Sequence, residues 1–270
     1  MGRSWQPLPQ DQLCVLLPTY NERDSLPGVI RRLRHSVPGA HILIIDDASP
    51  DGTGQLADRL AQSDHVVHVL HRAAKEGLGP AYVAGFGWAR GQGYAAVVQI
   101  DADGSHQPEQ LPALLDAASG ADVVIGSRWV PGGAVRNWPL HRKALSLGGN
   151  LFVRLALGIP VRDATAGFRV YRMDALGAMG VNDVASAGYC FQVDLTLRAV
   201  DGGLVMTEVP IEFVERVQGV SKMGTSIVAE ALVRVSAWGV QRRTRQLRTA
   251  LIEKPSDDSR RRHSREGRDG

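Results

Sequence analysis

Two aspartates, Asp101 and Asp103, stand one residue apart at the end of an apolar run, in the stretch QIDADGSHQPE. Ionised carboxylates are costly to bury unless a cation or hydrogen-bond donors compensate them. A hard divalent cation such as Mg²⁺ or Mn²⁺ needs few protein carboxylates and completes its shell with phosphate oxygens and water. The pair therefore favours a metal site that neutralises a diphosphate. The alternative is that Asp103 or Ser105 caps a helix that begins near Pro108.

Three other polar clusters follow predicted strands and could bind a nucleotide. In PTYNE, Pro18 ends a strand, Tyr20 offers a flat face to a base, and Glu22 can accept hydrogen bonds from ribose hydroxyls. In DDASPDGT, Asp47 could face a base or a ribose. In KEGLGPAY, glycines flank a helix start, which leaves N–H groups for phosphate, and Lys75 adds a positive charge. Each cluster is also compatible with an ordinary turn or helix cap.

The elements that must position these residues alternate between short apolar strands and helices. The predicted strands are residues 13–17, 41–45, 66–70, 95–100 and 122–125. The predicted helices between them are residues 24–35, 53–62, 79–90 and 108–118. Near-continuous apolar strands joined by helices indicate an α/β fold with a mostly parallel central sheet and flanking helices. Ligands of such sheets bind beyond the carboxyl ends of the strands, where the polar clusters lie.

The second half of the chain has a different pattern. Helices are predicted at residues 139–158 and 192–200, a strand at 168–172 and a strand-like run at 204–214. We divide the chain into a flexible N-terminus at residues 1–10 and one α/β domain at 11–225. An amphipathic, basic helix follows at residues 226–252. The last segment, 253–270, has hardly any apolar residue and is predicted to be a disordered basic tail.

Composition limits the class of protein. With 44% hydrophobic and 22% charged residues among 270, the chain is typical of a globular protein. No apolar run approaches the roughly 20 residues that cross a bilayer, and the first residues lack the apolar core of a signal peptide. Two distant cysteines favour a reducing, cytoplasmic location. The motifs of Walker-type nucleotide hydrolases and of NAD-dependent dehydrogenases are absent from the sequence.

The positive charge is concentrated at the end of the chain. Residues 241–270 contain 10 Lys/Arg and 5 Asp/Glu, against 21 and 23 in the remainder. This asymmetry indicates an arm for an anionic surface rather than a nucleic-acid-binding fold. The preceding helix has an apolar stripe that includes Trp238 and is followed by arginines at 242, 243, 245 and 248. We therefore expect peripheral binding to an anionic membrane at its cytoplasmic face; the alternative is that the stripe packs on the sheet.

Eight motifs carry a resemblance to a known family: PTYNE, DDASPDGT, KEGLGPAY, DADGSHQP, VIGSRWVPGG, DATAGFRVYR, GYCFQVDL and VPIEFVERVQGVSKMG. In this order they resemble the family-2 glycosyltransferases with a Rossmann-like GT-A fold and, more narrowly, the polyprenol (dolichyl) monophosphate mannose synthases. The match runs from about residue 13 to residue 224. The family implies transfer of mannose from GDP-mannose to a polyprenyl phosphate, with inversion at the anomeric carbon to a β-mannoside. It also implies Mg²⁺ or Mn²⁺ as the cofactor.

The resemblance also implies roles for individual residues. The residues that would hold the nucleoside are Pro18, Tyr20, Glu22, Ile45 and Asp47. The residues that would hold the metal and the diphosphate are Asp101, Ala102 and Asp103. Ser105 stands where many members have glutamine as a third metal ligand, so we expect this contact to be weaker or mediated by water. The cations that would meet the phosphates of donor and acceptor are Arg128, Arg216 and Lys222, which with Asp103 form the catalytic set.

If the acceptor is a phosphate, the transfer reaction depends on these cations rather than on a catalytic base. A phosphate monoester is mostly a dianion at pH 7, with a second pKa of about 6, and is already a nucleophile. Transferases with hydroxyl acceptors place a carboxylate base near the acceptor. Here Gln192 stands in that region, and Asp194 follows where most close relatives have Glu. Arg142 could join the cations or face solvent, and His106 is expected to hydrogen-bond a loop.

Two alternatives remain open from the sequence. The protein could transfer glucose or N-acetylglucosamine from a UDP-sugar to polyprenyl phosphate, because the residue types near the base do not separate guanine from uracil. It could also be a non-catalytic nucleotide-sugar-binding module that recruits a membrane-protein partner through its tail. The presence of both aspartates and all three cations argues against the second alternative.

Overall fold

A seven-stranded sheet forms the centre of the protein in a computed structural model that describes residues 7–181, 189–215 and 225–252. Its strands are β1 (Leu13–Thr19), β2 (His41–Asp46), β3 (Val67–His71), β4 (Ala96–Gln99), β5 (Val123–Ser127), β7 (Arg169–Arg172) and β8 (Met206–Pro210). They stand in the order β3-β2-β1-β4-β7-β5-β8, and only the pairs that contain β7 are antiparallel. This confirms the predicted mostly parallel α/β sheet.

Helices cover both faces of the sheet. They are α1 (Leu26–Ser36), α2 (Thr53–Ser63), α3 (Leu78–Gly91), α4 (Leu111–Ala117), α5 (Leu140–Leu157), α6 (Met173–Ala178), α7 (Tyr189–Asp201) and α8 (Thr225–Ile252). Successive residues of β1 alternate between the faces: Leu13 and Val15 belong to the core under α1, α2 and α4, whereas Cys14 and Leu16 belong to the core under α3 and α7. Both sets are fully buried, which explains the near-continuous apolar strands.

The stretch 204–214 was predicted to be strand-like, and the structure divides it into two strands that belong to different sheets. β8 ends at Pro210, and β9 (Glu212–Val214) pairs with β6 (Ala134–Arg136) in a separate two-stranded sheet. Pro210 is the last residue of β8, and proline, which has no N–H to donate, is tolerated there because β8 is an edge strand of the sheet. The Ile211 N–H still donates to Ser127 O at 3.0 Å before the chain departs. The short elements β6 and α6 were not predicted.

The helices α5 and α8 pack side by side on one face of the sheet. Gly239 permits the close approach, because a Cβ there would lie 2.6 Å from the carbonyl oxygen of Ala156. The Arg242 guanidinium adds hydrogen bonds to Leu157 O and Gly158 O and an ion pair with Asp201. α8 covers the segment predicted as an amphipathic, basic helix. Within the described ranges, no helix has both the length and the apolar character needed to span a membrane.

Candidate active site

Six parallel strands, all those of the central sheet except β7, end at one edge, which we call the carboxyl edge. The loops after β1 and β2 are tied to each other there. The Asp47 N–H donates to Thr19 O at 3.1 Å, the Asn21 N–H to Ser49 Oγ at 3.1 Å, and the Glu22 N–H to Thr53 Oγ1 at 3.0 Å. Asn21 has a φ of 62°, a left-handed conformation that asparagine tolerates better than most residues. The loops therefore form one braced surface.

The residues assigned to the nucleoside lie on this surface. Pro18 and Ile45 are direct neighbours across β1 and β2. The Lys75 ammonium lies 3.7 Å from the centre of the Tyr20 ring, so the cation covers the face that was assigned to a base. Glu22 accepts a hydrogen bond from Ser25 Oγ at 2.9 Å through Oε2.

Asp47, assigned to the same site, is paired with a residue that was not predicted. The guanidinium of Arg72, in the loop after β3, approaches Asp47 Oδ1 at 2.5 Å, and both side chains are nearly buried. Arg72 also pairs with Glu76. The signal for Arg72 was a basic residue directly after a strand end, within the stretch HRAAKEG.

Asp101 and Asp103 lie together in the loop after β4. Asp103 Oδ1 accepts hydrogen bonds from the Ser105 backbone N–H at 3.0 Å and from the Ser105 hydroxyl at 2.6 Å. Ser105 is buried and its hydroxyl donates to Asp103, so it orients the carboxylate that was assigned to the metal. The short 3₁₀ helix at Pro108–Gln110 has Gln107 at its N-cap and no side-chain cap, so neither Asp103 nor Ser105 caps it.

His106 is hydrogen-bonded to the backbone of Asp101. The Asp101 N–H donates to His106 Nδ1 at 3.3 Å, and the imidazole packs between Phe168 and Phe213. Burial, together with the charge of Arg128, lowers the pKa of His106 to about 4, so the ring is neutral and can accept this bond. The prediction of a loop hydrogen bond is confirmed. Gly167 faces the same carboxylate: a Cβ there would lie 3.7 Å from both Asp101 oxygens.

The carboxylate pair fits a divalent cation that shares its shell with a diphosphate. Asp101 retains 33% side-chain exposure, and buried Ala102 separates it from Asp103. Within residues 7–181, 189–215 and 225–252, no group of three His, Cys, Asp or Glu side chains forms a metal site. Two protein carboxylates with phosphate oxygens and water are a common Mg²⁺ arrangement.

Arg128, directly after β5, is held by a carboxylate. Its guanidinium makes a bidentate pair with Asp163, with Nε to Oδ2 at 2.8 Å and Nη2 to Oδ1 at 2.7 Å. Thr165 and Asn150 complete this network. Burial alone would raise the pKa of Asp163, but the attraction of Arg128 outweighs it and lowers the pKa. Arg128 therefore forms an ion pair at a strand end, and its partner Asp163, within DATAGF, was not singled out from the sequence.

An aromatic and cationic cluster adjoins this ion pair. The guanidinium carbon of Arg128 lies 5.6 Å from the Trp138 ring, and that of Arg142 lies 4.2 Å from the same ring. Arg142 also pairs with Glu215. The indole N–H groups of Trp129 and Trp138 are buried and have no hydrogen-bond partner among the residues that the structure describes. Arg142 is thus packed against Trp138 and ion-paired, and it does not lie on a solvated face.

The two halves of the site are in direct contact. The Val214 N–H donates to Ser105 O at 3.0 Å, so β9 is hydrogen-bonded to the loop that carries the aspartates. His106 and Phe213 form an isolated backbone bridge beside this bond. Arg216 and Lys222 follow β9 in the sequence, and both lie outside the described residues.

Comparison with known proteins shows which class of protein has this fold. Crystal structures of glucosyl-3-phosphoglycerate synthase from Mycobacterium tuberculosis, one of them with Mn²⁺, UDP and glucosyl-3-phosphoglycerate, share the fold. For that complex the TM-score is 0.60 at 18% identity, over 85% of this chain and 79% of the other. At such low identity the likeness concerns the fold alone.

A family model described as "Glycosyl transferase family 2" matches residues 14–180. The chain therefore belongs to glycosyl transferase family 2, and it is a glycosyltransferase. It is 52% identical over 237 residues to the polyprenol monophosphomannose synthase of Mycolicibacterium smegmatis, covering 87% of this chain and 89% of that protein. It is 53% identical over 240 residues to the undecaprenyl-phosphate mannosyltransferase of Micrococcus luteus, covering 89% and 99%. The predicted resemblance is confirmed.

Proposed function

We propose that this glycosyltransferase moves mannose from GDP-mannose to a polyprenyl monophosphate, with inversion, and releases GDP. The names of the two relatives support the sugar and the class of acceptor. The observation that carries the proposal is the hydrogen bond between Val214 and Ser105. It joins the carboxylate pair to the cluster of Arg128, Trp138 and Arg142, so a donor diphosphate and an acceptor phosphate can meet at this edge.

The carboxylate pair would bind the donor. Asp101 and Asp103 would hold Mg²⁺ or Mn²⁺, which when bound supplies positive charge to the departing diphosphate. Ser105 keeps the Asp103 carboxylate in place, and neutral His106 fixes the Asp101 backbone. Tyr20, Glu22 and Asp47 would contact the nucleoside, and Lys75 would move from the Tyr20 face towards a phosphate when the base stacks there.

The cationic cluster would bind the acceptor phosphate. Arg142 lies against Trp138, whose buried indole N–H, with that of Trp129, is an unused donor suited to a phosphate oxygen. Arg128, fixed by Asp163, adds positive potential, and we assign the same role to Arg216 and Lys222. Cations arranged in advance offset the repulsion between two phosphate-bearing substrates.

The reaction then needs no proton transfer from the acceptor. An oxygen of the acceptor dianion attacks the anomeric carbon, the bond from that carbon to the diphosphate oxygen breaks, and GDP leaves with the electron pair. Asp194, the carboxylate near the expected position of a base, is ion-paired with Arg198 at 2.8 Å. This ion pair gives the carboxylate a structural role on α7, which agrees with a reaction in which no base is required.

We also propose that the protein binds the cytoplasmic face of an anionic membrane as a peripheral protein. The outer face of α5 exposes Leu140, Leu147, Leu151 and Leu155. The neighbouring α8 exposes Leu232, Val233 and Val240, followed by Arg243. Apolar residues beside cations are typical of interfacial helices. Sedimentation with anionic liposomes at low salt tests this, and a Leu151→Glu/Leu155→Glu variant should lose binding. Equal binding of the variant would show that these leucines are not the contact. If the wild-type chain does not bind the liposomes, peripheral binding is contradicted and a membrane-protein partner is the remaining anchor.

The test of the proposed function is a transfer assay with lipid extraction. Labelled GDP-mannose, a short polyprenyl phosphate and Mg²⁺ or Mn²⁺ should give labelled lipid that is lost with a chelator. Parallel reactions contain UDP-glucose or UDP-N-acetylglucosamine. Label in lipid only from a UDP-sugar would overturn the choice of donor, and no transfer from any donor would favour the non-catalytic binding module.

A further inference from the structure

Arg169, at the start of β7, is fully buried beneath the carboxyl edge. Its guanidinium makes five hydrogen bonds. Nε donates to Ala166 O at 2.7 Å and Nη2 to Ala164 O at 2.7 Å. Nη1 donates to Tyr171 OH at 3.2 Å, Gln192 O at 3.2 Å and Thr196 Oγ1 at 2.9 Å. All five acceptors are uncharged oxygens.

Burial of a guanidinium that is not bonded to a carboxylate costs free energy of folding. Two further polar side chains are buried near Arg169. Gln99 lies directly opposite Arg169 across β4 and β7, and Gln192 follows on α7. The side-chain amides of both glutamines are buried and have no hydrogen-bond partner in the described part of the chain. An apolar core would be more stable here, so a role beyond packing is indicated.

The bonds of Arg169 lead to the metal-binding aspartate. Two of them hold residues 164–166, and the next residue, Gly167, is the one whose Cβ position lies 3.7 Å from both Asp101 oxygens. Two of the other three bonds, to Gln192 O and Thr196 Oγ1, hold the first turns of α7. The buried Tyr82 phenol is influenced by Arg169 and by the carboxylate pair. Burial and the charges of Asp101 and Asp103 raise the pKa of Tyr82, whereas the charge of Arg169 lowers it.

We propose that Arg169 is a positioning residue, which fixes the loop at residues 164–167 against Asp101 and the start of α7 against the sheet. It thereby sets the geometry and potential of the carboxylate pair for a divalent cation. The inference rests on the proposed metal site at Asp101 and Asp103, but not on the identity of the sugar or the acceptor. Residues that support metal ligands in this way typically change metal affinity by 10–100-fold when replaced.

The experiment measures Mn²⁺ binding by electron paramagnetic resonance in the full chain. Arg169→Met removes the five bonds, and Thr196→Val removes one of them with little change of shape and keeps the protein assayable if Arg169→Met fails to fold. The matched control is Arg172→Met on the same strand, whose guanidinium binds Ala118 O and Ala121 O at the opposite edge of the sheet. Thermal unfolding of each variant shows how much stability it has lost.

We expect the Mn²⁺ dissociation constant to rise about tenfold or more in Arg169→Met and about two- to threefold in Thr196→Val. Arg172→Met should leave it unchanged, despite a similar loss of thermal stability. In the transfer assay the Arg169 variants should need more metal for half-maximal rate. If Mn²⁺ affinity falls equally in Arg172→Met, or is unchanged in Thr196→Val and in any folded Arg169→Met, the proposal is wrong.

Two outcomes separate this proposal from the proposed function. If the wild-type chain binds Mn²⁺ but transfers no mannose, and the Arg169 and Thr196 variants still bind Mn²⁺ more weakly, the positioning role stands and the substrate assignment fails. If the wild-type chain transfers mannose but binds no Mn²⁺, the role of Arg169 towards the metal fails and the substrate assignment stands.

Discussion

Two acidic pairs follow β2 and β4, the strands on either side of β1 at the carboxyl edge, and the two pairs have different surroundings. Asp46 Oδ1 accepts hydrogen bonds from Thr19 Oγ1 and Ser49 Oγ, and its Oδ2 accepts from the Ser49 N–H. The adjacent Asp47 is ion-paired with Arg72. Asp46 and Asp47 have side-chain exposures of 4% and 7%, against 33% for Asp101.

The difference shows that a strand-end carboxylate is a structural residue or a binding residue according to its partners. After β2, Asp46 stabilises its own loop and the crossing to the loop after β1. The pair after β4 is oriented by serine and histidine, neither of which neutralises its charge. Asp101 also keeps a third of its side chain exposed, so a cation from outside the chain can reach this pair.

The largest expected effect is on turnover in Asp103→Asn. The asparagine oxygen can keep both hydrogen bonds from Ser105, so the fold should be retained while one charge of the pair is lost. We expect transfer to fall by about a thousandfold, because metal stabilisation of a leaving group is worth several kcal/mol. Initial rates and thermal unfolding check this. A loss of rate below tenfold would show that Asp103 resembles Asp46 rather than a ligand.

Arg128→Met should strongly reduce stability, because it leaves the buried Asp163 carboxylate without its partner. Removal of one member of a buried pair destabilises by about 3–5 kcal/mol. Urea unfolding measures the change. The double variant Arg128→Met/Asp163→Asn should recover much of the stability but not the activity, if the guanidinium also acts on phosphate. Full recovery of both stability and activity would show that Arg128 has only a structural role.

Asp46→Asn should lower stability more than turnover, the reverse of Asp103→Asn. Asparagine has one acceptor oxygen, so its amide would face a donor from Ser49. The expected loss is about 2 kcal/mol, in the range for a buried group left unsatisfied. Chemical unfolding and initial rates together give the comparison, with Asp58→Asn on the exposed side of α2 as the control. A rate loss as large as that of Asp103→Asn would break the distinction between the pairs.

The smallest effect concerns the opposite edge of the sheet, where β2 begins at His41. His41 Nδ1 and His68 Nε2 lie 2.9 Å apart in nearly coplanar rings, packed on Tyr94 and Trp88, with His65, Arg34, Asp11 and Asp64 as the nearby charged or titratable groups. Burial and neighbouring positive charge lower the pKa of both histidines.

The unfolded chain therefore binds more protons than the folded chain at mildly acidic pH. This contribution to stability should be fully present above the unfolded pKa of about 6.5 and should decrease as the pH falls below it. Unfolding measured between pH 7.5 and pH 5 should show a smaller pH dependence in His41→Asn/His68→Asn. An unchanged slope would exclude the histidine pair as its source.

Much of the fold could be predicted from the sequence, because its elements are encoded locally. All five strands of the first half and the helices between them were located by apolar runs and turn residues, and the strand ends placed the polar clusters on one edge. What the sequence did not reveal is that the strand-like run at 204–214 is divided after Pro210, where the next strand pairs with β6. That pairing joins residues far apart in sequence, and no local pattern reveals it.

The sequence alone determined the family, the mostly parallel sheet and the position of Asp101 and Asp103 at a strand end, because these depend on residue order and on local periodicity. Only the tertiary structure decided which charged groups neutralise one another. Asp163 lies 35 residues from Arg128, and Arg169 reaches from β7 to α7. Such choices depend on which oxygens come within hydrogen-bond distance after the chain has packed, since the energy of a charge is set by its neighbours in space.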